Sequence, residues 1–170
     1  MPDVATDPDF AQGPVVVLGP EDGEAFWQPL PSVGYIVNKL TPYNSPYDNF
    51  AMGLQVLEPG AHIRRHTYER QHEVLFCYQG TGIAEVGAER HAVAPETMIL
   101  VGRGVQHKVT NTGAGQMRLL WMISPPGLED WFRAIGRPRQ PGEPTPVPFE
   151  RPTDIAAIQA RQRFVRSEED

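Results

Sequence analysis

The sequence predicts an all-β fold, a barrel or sandwich, and two observations carry that prediction. Between residues 50 and 123 short apolar runs recur at strand length, and glycine- and proline-containing turns separate them. With 18 prolines and 16 glycines in 170 residues, such punctuation is frequent enough to break the chain into strands rather than long helices.

The first core run is Phe50, Met52, Leu54 and Val56, alternating with period two, and Pro59-Gly60 turns the chain after it. Residues 61–68 read as the next strand, and a turn at 69–72 leads to Glu73–Gln79. Gly80-Thr-Gly82 is a tight turn into Ile83–Val86, and Gly87-Ala-Glu-Arg90 reads as a hairpin turn. His91–Ala94, Met98–Val101 and Val105–Thr110 follow. Asn111-Thr-Gly-Ala-Gly115 turns into the last strong strand, Met117–Ile123. Upstream, Val15–Leu18 and Val33–Leu40 are further strand candidates, with Tyr43–Tyr47 a loop. After Pro125-Pro-Gly127 the period changes. Leu128, Trp131, Phe132 and Ile135 recur at helical spacing, and Gly136 suits the helix end. Residues 138–152 are proline-rich and expected to be extended on the surface. Thr153 or Asp154 suits the cap of a final helix over 155–164, and the acidic end is expected to fray.

One domain over 1–170 is expected, with the barrel at 50–123, N-terminal strands and an arm at 1–49, and a helix and proline-rich arm at 124–170. A net charge of −6 gives no electrostatic support for a nucleic-acid partner. The single cysteine, Cys77, excludes an intrachain disulfide framework. Asp3, Asp7 and Asp9 at the start do not fit a signal peptide, and no apolar run reaches the roughly 20 residues that span a bilayer. A soluble cytoplasmic protein without a membrane partner is the expectation.

Four of the five histidines cluster in two blocks. His62, His66 and His72 lie with Tyr68 and Glu73 between Gly60 and Gly80, and His107 follows Gly104. Barrel interiors are normally apolar, so histidine and glutamate on inward positions need a reason, of which a metal ion is the commonest. Residues two apart in a strand share a face, so His66 and Tyr68 point the same way, and past the turn Glu73, Leu75 and Cys77 do too. Two imidazoles and a carboxylate with open positions suit non-haem Fe(II); zinc, manganese, nickel or cobalt would also accept them. His72 beside Glu73 is expected to face outward. His62 shares parity with His66, but four strand residues span roughly 13 Å, so both reach one ion only across a bend or bulge. His91 is expected at the surface and Arg103 in a solvated turn. Phe50, Met52, Leu54, Leu75, Cys77, Leu119 and Trp121 are candidates for an apolar substrate pocket, and core packing accounts for the same residues.

The two blocks resemble the paired motifs of the cupin superfamily. Gly60, His66, Glu73 and Gly80 match the first motif (glycine, five residues, His-x-His, three or four residues, Glu, six residues, glycine). Gly104, His107 and Asn111 match the second. Tyr68 stands where that family has the second histidine, Glu96 where it has a glycine and Gly102 where it has a proline. The resemblance implies a jelly-roll-like barrel with short C-terminal helices, one divalent ion, iron first, and ligands His66, Glu73 and His107, with Tyr68, His72 and His62 as further candidates. Tyr68 would ligate as a phenolate, hydrogen-bond a metal-bound ligand, or fill space where a metal has been lost. Catalytic roles fall to Tyr68 and Glu73. Dioxygenase chemistry on a small phenolic or diketone-like substrate is the first implication. Non-redox isomerase, cyclase or lyase chemistry and a non-catalytic small-molecule-binding barrel are the others. A homodimer is expected by the same analogy.

Overall fold

Alternation of buried and exposed residues along each core run dictates strands that cover a shared interior, and the computed structural model, which describes residues 13–162 and 165–167, has that form. In chain order the elements are β1 (Glu24–Trp27), β2 (Gly34–Leu40), β3 (Ala51–Leu57), β4 (His62–Tyr68), β5 (His72–Gln79), β6 (Gly82–Val86) and β7 (Glu89–Val93). Then come β8 (Met98–Val101), β9 (His107–Asn111), β10 (Met117–Ser124), α1 (Leu128–Ile135), β11 (Arg137–Pro138), α2 (Ile155–Gln162) and β12 (Val165–Ser167). One sheet has the order β11-β1-β2-β3-β10-β5-β8 and the other β12-β4-β9-β6-β7. The recorded pairings are all antiparallel. The two inner faces meet in one core that includes Ile36, Leu57, Leu75, Cys77, Val109, Leu119 and Trp121. The all-β expectation with short C-terminal helices is borne out.

Helix α1 closes one end of the barrel. Leu128, Trp131, Phe132 and Ile135 are buried on one stripe, and Phe132 packs 5.7 Å from the Trp121 ring. The proline-rich arm returns along its own barrel: Arg139 N–H donates to the Ala25 carbonyl and Leu30 N–H to that of Phe149. Arg137 lies over the Phe149 ring and Arg139 over Tyr35, at 3.9 and 4.0 Å.

Three expectations are corrected. Val15–Leu18 is no strand. It forms no ladder, whereas Glu24–Trp27, absent from the sequence reading, pairs with both β2 and β11. A β-branched run flanked by Pro14 and Pro20 has propensity without a partner, and ladder bonds decide. Strand β3 carries its inward residues one position later than the apolar alternation implies. Ala51, Gly53, Gln55 and Leu57 face the core, and Met52 and Leu54 face out. The cause is Trp121 on β10, paired with Gly53: a Cβ on Gly53 would stand 2.7 Å from the indole and 2.2 Å from the Val37 carbonyl oxygen. The inner surface of β3 must therefore be small. Third, His62 and His66 do not share a face. Ile63 pairs with Val109 and His66 with His107, three residues on β4 against two on β9, so a β-bulge between them shifts the parity. Ile63 takes the inward position and His62, paired with Thr110, the outward one. The expectations for Asp3, Asp7 and Asp9, for residues 163 and 164 of the final helix and for the acidic end 168–170 lie outside the described residues.

Candidate metal centre

Two neighbouring strands of one sheet and one strand of the other supply the cluster. Cross-strand pairing of His66 with His107 sets the imidazoles side by side, ring centroids 4.1 Å apart. Glu73 enters from β5 on the opposite sheet, and Tyr68 lies two residues along β4 from His66. All four are buried: His66 8%, Tyr68 2%, Glu73 4% and His107 1% exposed. One ligand atom from each of His66, Glu73 and His107 lies within 4.8 Å of the other two. The turns that bracket these strands have the backbone the motif requires. Gly104, at φ +77°, lies in the turn before β9 and donates its N–H to the Tyr68 carbonyl at 2.7 Å. Asn111 ties the far end, its amide donating to the Leu57 and Gly115 carbonyls at 2.9 Å each.

With both imidazoles neutral, the cluster has fewer protons than lone pairs, and a cation would fill that deficit. His66 Nδ1 lies 2.8 Å from the Arg64 carbonyl oxygen and His107 Nδ1 3.3 Å from that of Val105. A carbonyl only accepts, so each Nδ1 carries the ring proton, and in neutral imidazoles both Nε2 atoms are lone-pair donors. Those lone pairs face His66 Nε2···Tyr68 Oη at 3.1 Å and His107 Nε2···Glu73 Oε2 at 2.9 Å, while Tyr68 Oη donates to Glu73 Oε1 at 3.2 Å. Tyr68 has one proton to share, and a proton between His107 and Glu73 would have to come from an imidazolium, which an ion bound at Nε2 would replace. A divalent cation held by the two Nε2 atoms and a Glu73 oxygen satisfies all three lone pairs at once. Backbone carbonyls on the distal nitrogens are the usual orienting partners of metal-binding histidines. The residues fit the ion.

Electrostatics favours the neutral form of His66 and of Tyr68. Burial, then repulsion from His107 when that ring is protonated, holds His66 down to about 3, with Arg151 adding to the effect and the bond to the Arg64 carbonyl opposing it. Burial, then the Glu73 charge and the hydrogen bond to it, pushes Tyr68 well above its ordinary value, so the phenol keeps its proton.

A cavity opens beside the cluster, and its lining corrects the sequence-derived pocket. Leu128, Trp131, Phe132 and Ile135 of α1 form one wall. Gln28, Ser32, Gln55, Arg64 and Arg151 contribute polar groups, and His66, Tyr68 and Glu73 also line it. None of Phe50, Met52, Leu54, Leu75, Cys77, Leu119 and Trp121 lines it. Leu75, Cys77, Leu119 and Trp121 are core, and Met52 and Leu54 lie on the outer face, beside Val16 and Leu18. His72 and His91 are exposed, His62 is half-buried, and none of the three joins the metal-ligand group. Arg103 is exposed in its turn. The sequence carried one overlooked signal, the polar Gln55 within an apolar run. Its amide donates to Gln28 Oε1 at 2.6 Å inside the barrel. The helix wall and Arg151 had none, because which end of the barrel α1 covers is a tertiary fact.

Residues 53–123 match the family model described as "Cupin domain". Over 86 residues the chain is 26% identical to protein SchB of Streptomyces halstedii, covering 51% of this chain and 62% of that protein, under two thirds of its length. A predicted oxalate decarboxylase from Thermotoga maritima superposes with a TM-score of 0.56 at 18% identity, over 65% of this chain and 98% of that one. The cupin domain of Schizosaccharomyces pombe Cnp3 is similar at 22% identity and a TM-score of 0.48, over 63% and 79% of the two chains. These likenesses concern the fold.

Proposed function

We propose that this chain, whose residues 53–123 match a cupin domain, is a metal-dependent enzyme that oxidises a small phenolic or diketone-like substrate with dioxygen. His66, Glu73 and His107 hold one divalent ion, Fe(II) before zinc, manganese, nickel or cobalt. The observation that carries this reading is the convergence of two imidazoles and one carboxylate, their ligand atoms within 4.8 Å of one another, at the edge of a cavity. That donor set is the one non-haem iron oxygenases use. Such an ion supplies Lewis acidity and, as iron, one-electron chemistry toward dioxygen.

The chain's own groups do the rest. The helix wall of Trp131, Phe132 and Leu128 packs against an apolar ring and excludes water from it. Tyr68 holds a proton at Oη, 3.1 Å from His66 Nε2 and 3.2 Å from Glu73 Oε1, placed to donate to a substrate oxygen. Oxygen consumption by the iron-loaded protein with a panel of phenols and diketones tests the reading. His66→Ala abolishes it; full activity in that variant contradicts it, and turnover that persists without oxygen moves the assignment to a metal-assisted isomerase or lyase.

We also propose that the partner at the outer face of the larger sheet is a second copy of this chain. Register places Leu54, Leu120, Phe76 and Met98 in one row across β3, β10, β5 and β8, and Met52, Met122, Val74 and Leu100 in the next. Met98 and Leu100 are 67% and 71% exposed, and Val15 and Val17 add exposed apolar surface from the N-terminal segment. An antiparallel sheet that faces water alternates to polar outer residues, and these two rows contain none. A patch without charge is complementary to itself, which is what a two-fold pair requires.

A further inference from the structure

We infer that the cavity takes a substrate bearing a carboxylate on an apolar ring, with Arg64 as the residue that binds the carboxylate and Arg151 beside it. This rests on the site proposed above and adds the substrate's charge.

The β4 bulge is where the inference starts. It lies between Ile63 and His66 and contains two consecutive arginines. Arg65 turns to the outside, where it pairs with Glu85. Arg64 lines the cavity, and its Nε is buried with no hydrogen-bond partner among the described residues. A guanidinium carries five donors in a rigid fork that matches a carboxylate, and a buried donor left unsatisfied is destabilising. Bulges re-aim side chains beside functional sites, and this one sends one arginine of the pair toward the cavity and the other to the outside.

The rest of the lining agrees. Arg151 also lines the cavity, 5.6 Å over the Trp131 ring. The one carboxylate in the lining is Glu73, which is already engaged by Tyr68 and His107. The lining thus sets two guanidinium groups against one carboxylate. Low-dielectric walls focus such a field on an anion. The apolar side chains of Leu128, Trp131, Phe132 and Ile135 complete the lining and offer contact to the apolar part of a ligand.

Calorimetric titration with benzoate, and with benzamide as its uncharged near-isostere, tests this on the full chain, as purified and after chelation. Benzoate binds in both preparations, and benzamide binds at least about tenfold more weakly, a difference of about 1.4 kcal/mol. Arg64→Gln removes the preference and leaves benzamide affinity unchanged. Equal affinity for the two probes on the unaltered protein overturns the inference, whatever the variant does. So does absence of benzoate binding in the millimolar range, unchanged preference in Arg64→Gln, or benzoate binding that disappears with the metal. Because binding after chelation is independent of the ion, failure here leaves the metal-centre reading standing. Conversely, a protein that takes up no metal yet prefers benzoate retains the anion site and loses the enzyme.

Discussion

Tyr68 is the residue on which the chemistry turns. It stands where the resembled motif has a histidine, and its hydroxyl bridges His66 and Glu73 in a buried cluster. In the proposed reaction it is a proton-holding donor rather than a ligand, dispensable for holding the ion and needed for turnover. Tyr68→Phe is therefore expected to keep its metal while turnover falls by about 10²-fold or more, checked by metal content and rate on the same preparation. His66 gives a second prediction. Its protonation is depressed to about 3 in the folded chain against an ordinary 6.5, so the unfolded chain binds more protons between those limits. Stability of the metal-free protein is complete above about pH 6.5 and falls as pH drops toward 3, by at most about 1.4 kcal/mol per pH unit from this group. Urea titrations across that range, with His66→Gln as the comparison that flattens the slope, check the sign. The ligand set itself was legible in the sequence, because the spacing of His66, Glu73 and His107 between turn glycines is a local signal. The protons the set lacks were not, since they depend on which carbonyls the ring nitrogens meet.

Elements were read well where alternation was clean and poorly where neighbours overrode it. β5, β9 and β10 alternate as their residues imply. On β3 the bulk of Trp121 reserves the inner face for Ala51, Gly53 and Gln55, so the apolar alternation marks the outer face instead. Gly53→Ala is expected to destabilise by about 1–3 kcal/mol through overpacking, measured by denaturant unfolding. The bulge in β4 was invisible because its arginines carry no periodic signal, yet it separates His62 from His66 and aims Arg64 inward. The turn before β8 shows the reverse case, a local rule that the sequence breaks. Thr97 N–H bonds to the Ala94 carbonyl, Pro95 precedes, and Glu96 sits at φ +73°, a position of this turn that favours glycine. Glu96→Gly is expected to raise stability by up to about 1 kcal/mol, because the left-handed backbone costs a side-chain-bearing residue about 1–2 kcal/mol, partly offset by glycine's freedom when unfolded. An unchanged or lower midpoint contradicts it.

At the scale of the whole molecule, two sheets hold a site between them, a helix walls its cavity, and the outer face of the larger sheet is left apolar. Among the described residues no helix is long and apolar enough to cross a membrane. Pairing through the outer face predicts a dimer by sedimentation, and Leu120→Glu with Met122→Glu, both outward on β10, a monomer that keeps its metal; a dimer unchanged by both charges contradicts that interface. The proline-rich arm, expected to lie extended on the surface, does so against its own barrel through Arg139 and Phe149. The central claim is the ion at His66, Glu73 and His107, and elemental mass spectrometry of the purified, untagged protein tests it most directly. About one divalent ion per chain is expected, absent from a His66→Ala/His107→Ala double variant that still folds. No metal in the purified protein and none taken up on addition of Fe(II), Zn(II), Mn(II), Ni(II) or Co(II) contradicts it, and leaves Tyr68 as the residue that closed a former site.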